Sequence, residues 1–149
     1  MSRTSSIAAS IIAAIAVLGL VQVQNASSAS ADPVGALRAC RDGSDPAGLA
    51  GPRTARSVRA PSGALYELRY HDDSACAWGR ISNGRKYDTV WVDRAYSRAE
   101  GNAGRWEPQL GFSMLGTATS TYTPAYNDDL VVMRACGQAS GRIVCTDWY

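Results

Sequence analysis

Hydrophobic positions fall into two regimes along this chain. Residues 7–23 are almost continuously apolar, interrupted only by Ser10, Gly19 and Gln22. Beyond about residue 54, apolar residues come instead in short runs divided by Gly, Pro, Asn and Asp, with a two-residue rhythm. The clearest case is 64–70, where Tyr66, Leu68 and Tyr70 share one face and Leu65, Glu67 and Arg69 the other. The same reasoning predicts strands at 54–60, 75–82, 88–94, 110–115 and 117–122, and a hairpin over 130–149. Turns are expected at Pro61-Ser62-Gly63, Asp72-Asp73-Ser74, Thr123-Pro124 and Asn127-Asp128-Asp129. Asn83-Gly84 is the strongest two-residue hairpin signal in the chain, so 64–94 reads as a three-strand meander. Residues 32–52 read as irregular, with a short helix over 34–40 and a turn cluster at Asp42-Gly43-Ser44-Asp45-Pro46. Residues 95–108 are mostly polar, hold Gly101 and Gly104, and predict a loop long enough to suggest function. Short strands at regular spacing with almost no long helical period indicate an all-β fold. The expected architecture is a small, disulfide-tied antiparallel sandwich or barrel of about six to eight short strands.

The first regime is an address rather than part of the fold. Arg3 gives a positive start, the apolar run follows, and Ala29-Ser30-Ala31 presents the small-x-small pattern of signal peptidase substrates. Gln22, Gln24 and Asn25 end the run, and no cluster of Lys and Arg follows to stop transfer. Residues 1–31 are therefore expected to be a signal peptide and 32–149 a single secreted β domain, free of the membrane once the signal is removed. Removing 31 of 149 residues leaves 118, enough for one modest core.

Composition then narrows the function classes. The chain carries a formal charge of +2, which falls to +1 when Arg3 leaves. That near-balance argues against nucleic-acid binding, which uses a concentrated basic patch. Lys86 is the single Lys among the basic residues, a bias that genome composition explains without function.

Cys40, Cys76, Cys136 and Cys145 all lie in the domain, and an even count in an exported chain reads as two disulfides. Close Cys-x-x-Cys pairs suited to zinc are missing. If Ser140-Gly141 is a two-residue turn, Ala139 faces Arg142 and Cys136 faces Cys145 at a separation within disulfide reach. The expected pairing is Cys136–Cys145, which leaves Cys40–Cys76.

Glu67-Leu68-Arg69-Tyr70, Cys76 and Trp78-Gly79-Arg80-Ile81 resemble the core of a family of small exported actinobacterial domains of unknown function. Cys40 followed by Asp45-Pro46 is similar to that family's upstream turn, so the likeness spans about residues 38–95. Members often carry a further Cys shortly after the turn, where this chain has Ala47-Gly48-Leu49-Ala50-Gly51. The resemblance implies an exported β domain and supplies no activity.

Catalytic constellations are thin. His71 is the single His, beside Asp72, Asp73 and Ser74, and that polar run between strands reads as a hairpin loop rather than an acid–base site. No spacing singles out a pair of carboxylates. Asp42 to Asp45 faintly resembles a calcium loop and lacks its downstream Glu. Glu67, Arg69 and Arg80 are read as cross-strand ion pairs ahead of a ligand site. Neither a cofactor nor a metal is expected. The remaining signal is aromatic. Trp78 and Trp91 sit in strand interiors and read as core. Tyr87, Tyr96, Trp106, Tyr122 and Tyr126 fall in or beside expected loops, where they cover core edges if dispersed and bind if clustered. Tyr96, Arg98, Arg105 and Trp106, all in 95–108, are the candidate binding residues. The expected function is a non-catalytic binding or interaction module, in one form a small subunit of a larger extracellular complex. Its expected partner is a secreted or cell-surface protein or a surface polysaccharide. The alternatives are a secreted protease inhibitor that uses 95–108 as its loop, a cell-surface glycan binder and, last, a small secreted hydrolase.

Overall fold

A computed structural model describes residues 39–149. The expected signal peptide, its cleavage site and most of the expected helix at 34–40 lie outside the described residues. Among the described residues nine strands form two antiparallel sheets that pack as a sandwich and do not close into a barrel. The first sheet joins β1 (Arg53–Arg59), β2 (Leu65–His71) and β3 (Cys76–Ser82) in order. Two short strands, β6 (Thr121–Tyr122) and β7 (Tyr126–Asn127), then pair with β3. The second sheet runs β5 (Glu107–Met114), β4 (Thr89–Ala95), β8 (Val132–Ala139), β9 (Arg142–Cys145). The core lies between the sheets. Tyr66, Ile81, Val90 and Ala139 form one cluster and Leu68, Ala77, Val92, Met133 and Ala135 another. These are the every-second residues of β2, β3, β4 and β8, so strand alternation alone places them inward. Among the described residues no helix is long and apolar enough to cross a membrane.

The terminal hairpin forms in the expected register. Ser140 and Gly141 both take positive φ, 49° and 76°, as a type I′ turn requires. Ala139 pairs with Arg142 and Cys136 with Cys145. Both expected disulfides are present, Cys136–Cys145 with Cα atoms 4.0 Å apart and Cys40–Cys76 with Cα atoms 5.0 Å apart. The second ties the segment before β1 to the outer face of β3. Cys40, Leu49 and Ala125 there cover Trp78.

Several expectations give way. The meander over 64–94 stops after two strands, because β4 belongs to the other sheet. Asn83 takes φ 55° but Gly84 stays out of the left-handed region, so the turn that Asn-Gly favours does not form. Gly84 donates instead to the Thr119 carbonyl, and the chain crosses between sheets. The driving force is burial: β4 is buried on both faces at all but one of its positions, and a place between β5 and β8 provides that. The strand expected at 117–122 shrinks to β6, and the turn expected at Asn127 overlaps β7. The loop expected at 95–108 holds a single helical turn, α1 (Arg98–Asn102), and its last two residues already belong to β5.

Candidate functional site

The outer face of the second sheet carries a charged pair where burial would normally forbid one. Asp93 on β4 is almost fully buried and lies opposite Arg134 on β8 in the ladder. Arg134 Nε and Nη2 both reach Asp93 Oδ2, at 2.9 and 2.8 Å. The other oxygen, Oδ1, accepts from the Trp91 indole at 3.1 Å and from the Gln109 amide at 3.0 Å. Gln109 can point its N–H this way because β5 bulges there, with φ 56° at Gln109 and a register shift between Val92 and Arg94 on β4. Matching the lone pairs in this way offsets the cost of burying the carboxylate.

Arg134 also organises two indoles. Its guanidinium carbon lies 4.6 Å from the ring centre of Trp106 and 4.4 Å from that of Trp148. The planar, weakly hydrated guanidinium suits such stacking. Trp148 is buried and lies hard against α1, since a Cβ added at Gly101 would fall 2.4 Å from its ring. α1 is started by Ser97, whose Oγ accepts from the Glu100 amide at 3.2 Å. Trp106 is therefore fixed by a chain of contacts running back to Asp93, while 38% of its surface stays exposed.

Beside it opens a cavity of about 570 Å³, lined by Arg94, Ala95, Tyr96, Glu100, Arg105, Trp106, Glu107 and Val131. That volume lies within the range of small-molecule clefts, roughly 300–1,000 Å³. Each guanidinium in its wall is already engaged. Arg105 bonds Glu100 through both Nε and Nη2, and this bond holds the Glu100 carboxyl below the usual carboxylate range. Arg94 bonds Glu107 at 2.8 Å and Asp42 at 2.8 Å. Tyr96 is 87% exposed at the cavity's edge.

Of the four candidate binding residues, Tyr96, Arg105 and Trp106 line this cavity together. Arg98 is exposed on α1 and is not part of its wall. The other loop aromatics are dispersed: Tyr87 lines a smaller hollow beside Gln138, and Tyr122 another beside Pro46. Trp78 and Trp91 are buried, on outer faces rather than between the sheets, with Trp91 stacked 6.2 Å from Phe112. Residues absent from the sequence reading, Asp93, Arg134 and Trp148, hold the site together. A charge within Val90-Trp91-Val92-Asp93 and another within Val131-Val132-Met133-Arg134 are the signal that could have found the pair.

The remaining candidates have structural partners. His71 Nδ1 lies 2.8 Å from Ser74 Oγ within one turn, and Asp72 is engaged by Arg53 at 2.9 Å. Among the described residues no carboxylate hydrogen-bonds the His71 ring, so the arrangement lacks the orienting acid of a serine triad. Glu67 bridges Arg69 and Arg80 at 3.6 and 3.7 Å and accepts from Thr54 at 2.7 Å. Asp45 caps the 3-10 turn Pro46–Gly48, and Asp42 holds Arg94 and the Asn127 amide. Asp93, Cys136 and Cys145 are close enough to suit a metal ion. Both sulfurs are consumed in the disulfide, however, and offer no thiolate.

Comparison of the chain with protein-family models, with curated proteins and with solved structures returns no match.

Proposed function

We propose that this protein is a secreted, non-catalytic recognition module whose contact face is the cavity between α1 and the start of β5. One observation carries the reading: Trp106 is both partly exposed on the cavity wall and held in place by the Asp93–Arg134 pair. A rigid, amphipathic ring on a fixed scaffold loses little freedom on binding, which is the property that contact residues need. Two disulfides suit an oxidising, extracellular setting. The partner is an extracellular one, which the protein binds without transforming it. The inhibitor alternative is less well supported. An inhibitory loop projects toward a protease, whereas 95–108 folds into α1 and walls a concavity. Recovery of the native protein from culture medium, followed by identification of what co-purifies, tests the proposal. A stable extracellular partner whose retention depends on Trp106 supports it. A partner retained equally by Trp106→Ala contradicts it.

A further inference from the structure

We infer that the cavity walled by Trp106 and Tyr96 takes a neutral saccharide ring, an inference that rests on the recognition reading above and names its ligand class. The charge on the wall is balanced. The wall presents Arg94 and Arg105 against Glu100 and Glu107, and both arginines are already paired. An anionic ligand would meet guanidinium groups whose charge Glu100, Glu107 and Asp42 already balance, in exposed pairs that leave little net attraction for a further anion. A cationic ligand would meet the same two guanidinium groups. Neither ion gains what an empty charged pocket would offer.

What the wall does offer is hydrogen-bonding capacity without net charge. Paired carboxylates keep free lone pairs, since an ionised carboxylate has about four acceptor sites. Arg105 uses Nε and Nη2 on Glu100, which leaves Nη1 available to donate. Beside these groups stand Trp106, Tyr96, Val131 and Ala95, a mostly apolar surface. A pyranose ring has matching chemistry: a face of C–H bonds for an aromatic ring, whose π face is electron-rich, and an edge of hydroxyls that donate and accept. An apolar peptide side chain would use the aromatic wall equally well, but it would leave the spare carboxylate lone pairs and Arg105 Nη1 without a partner. The fixed position of Trp106 adds preorganisation, because its ring orientation is set before the ligand arrives.

The test is an NMR titration of the ¹⁵N-labelled, disulfide-intact protein. The probes are neutral tetrasaccharides of glucose and of N-acetylglucosamine, a uronic-acid tetrasaccharide, and a pool of uncharged tetrapeptides. At least one neutral sugar is expected to give saturable shifts at the Trp106 indole N–H and the Ala95 and Tyr96 amides. The uronate should bind at least about tenfold more weakly. Trp106→Ala and Tyr96→Ala should each weaken binding by several-fold or more, as loss of a contact anchor does. Tyr96 is exposed enough for its variant to keep the fold. No saturable shift with either neutral sugar, or tighter binding of the uronate, overturns the inference. Saturable shifts from peptides at the same resonances, with none from sugars, overturn the saccharide class and leave the recognition reading standing. Silence toward every probe, together with partner retention indifferent to Trp106→Ala, overturns both.

Discussion

Asp93 and Arg134 face each other across β4 and β8, with Arg134 Nη2 2.8 Å from Asp93 Oδ2 and the carboxylate almost fully buried. Removing Arg134 would leave that charge with only two neutral donors, the Trp91 indole and the Gln109 amide. Arg134→Ala is expected to lower the unfolding free energy by about 3 kcal/mol, the usual consequence of stranding a buried charge. Urea unfolding checks it. A loss below about 0.5 kcal/mol, the scale of an exposed pair, would mean that the pair contributes little to the fold.

Gly101 is tight for a different reason. A Cβ there would meet the Trp148 ring at 2.4 Å, well inside contact distance. The indole is also stacked on Arg134 and cannot shift without disturbing it. Gly101→Ala is expected to cost about 1–3 kcal/mol by overpacking, despite alanine's better helix propensity. Thermal unfolding beside Gly48→Ala, where the added Cβ meets nothing, provides the comparison. Equal stability of the two variants would contradict the packing of α1 on Trp148.

Asp128 gives the domain a pH signature. Burial pushes its carboxyl up to about 7, and Oδ1 finds no hydrogen-bond partner among the described residues. In the unfolded chain the same group titrates near its ordinary value, about 3.9. Between those values the folded state binds a proton that the unfolded state does not, so stability falls as pH rises through the window and levels off above about 7. Asp128→Asn removes that dependence. The difference in stability between the variant and the parent should therefore grow by about 2–4 kcal/mol from pH 4 to pH 7, in the variant's favour. Equilibrium unfolding at several pH values measures it, and a pH-independent difference would contradict the burial of an unpaired Asp128.

Much of the scaffold was legible and most of the site was not, for a physical reason. Strand alternation is local, so 64–70 and the Cys136–Cys145 register could be read directly from Tyr66, Leu68 and Ser140-Gly141. Sheet assignment is not local. Asn83-Gly84 promised a hairpin, but the burial demands of Val90, Trp91 and Val92 sent β4 to the other sheet. Ser97-Arg98-Ala99-Glu100 has the spacing of a capping box and could have revealed α1. Tyr96, Arg105 and Trp106 could be grouped because they are close in sequence, and all three line one cavity. Asp93 and Arg134 were missed because only the pairing of β4 with β8 brings them together, and Trp148 because only the hydrogen bonds of Thr146 and Tyr149 back to β8 place it beside them.

Recognition through a positioned Trp106 would be tested by the affinity of the protein for whatever extracellular partner co-purifies with it. Calorimetric titration would compare the parent protein with Trp106→Ala and His71→Ala, each confirmed folded by its NMR spectrum. Trp106→Ala is expected to lose at least about 1 kcal/mol of binding, as truncated contact anchors do, and His71→Ala to bind as the parent does. Unchanged affinity in Trp106→Ala, or a catalytic turnover abolished by His71→Ala, would contradict it.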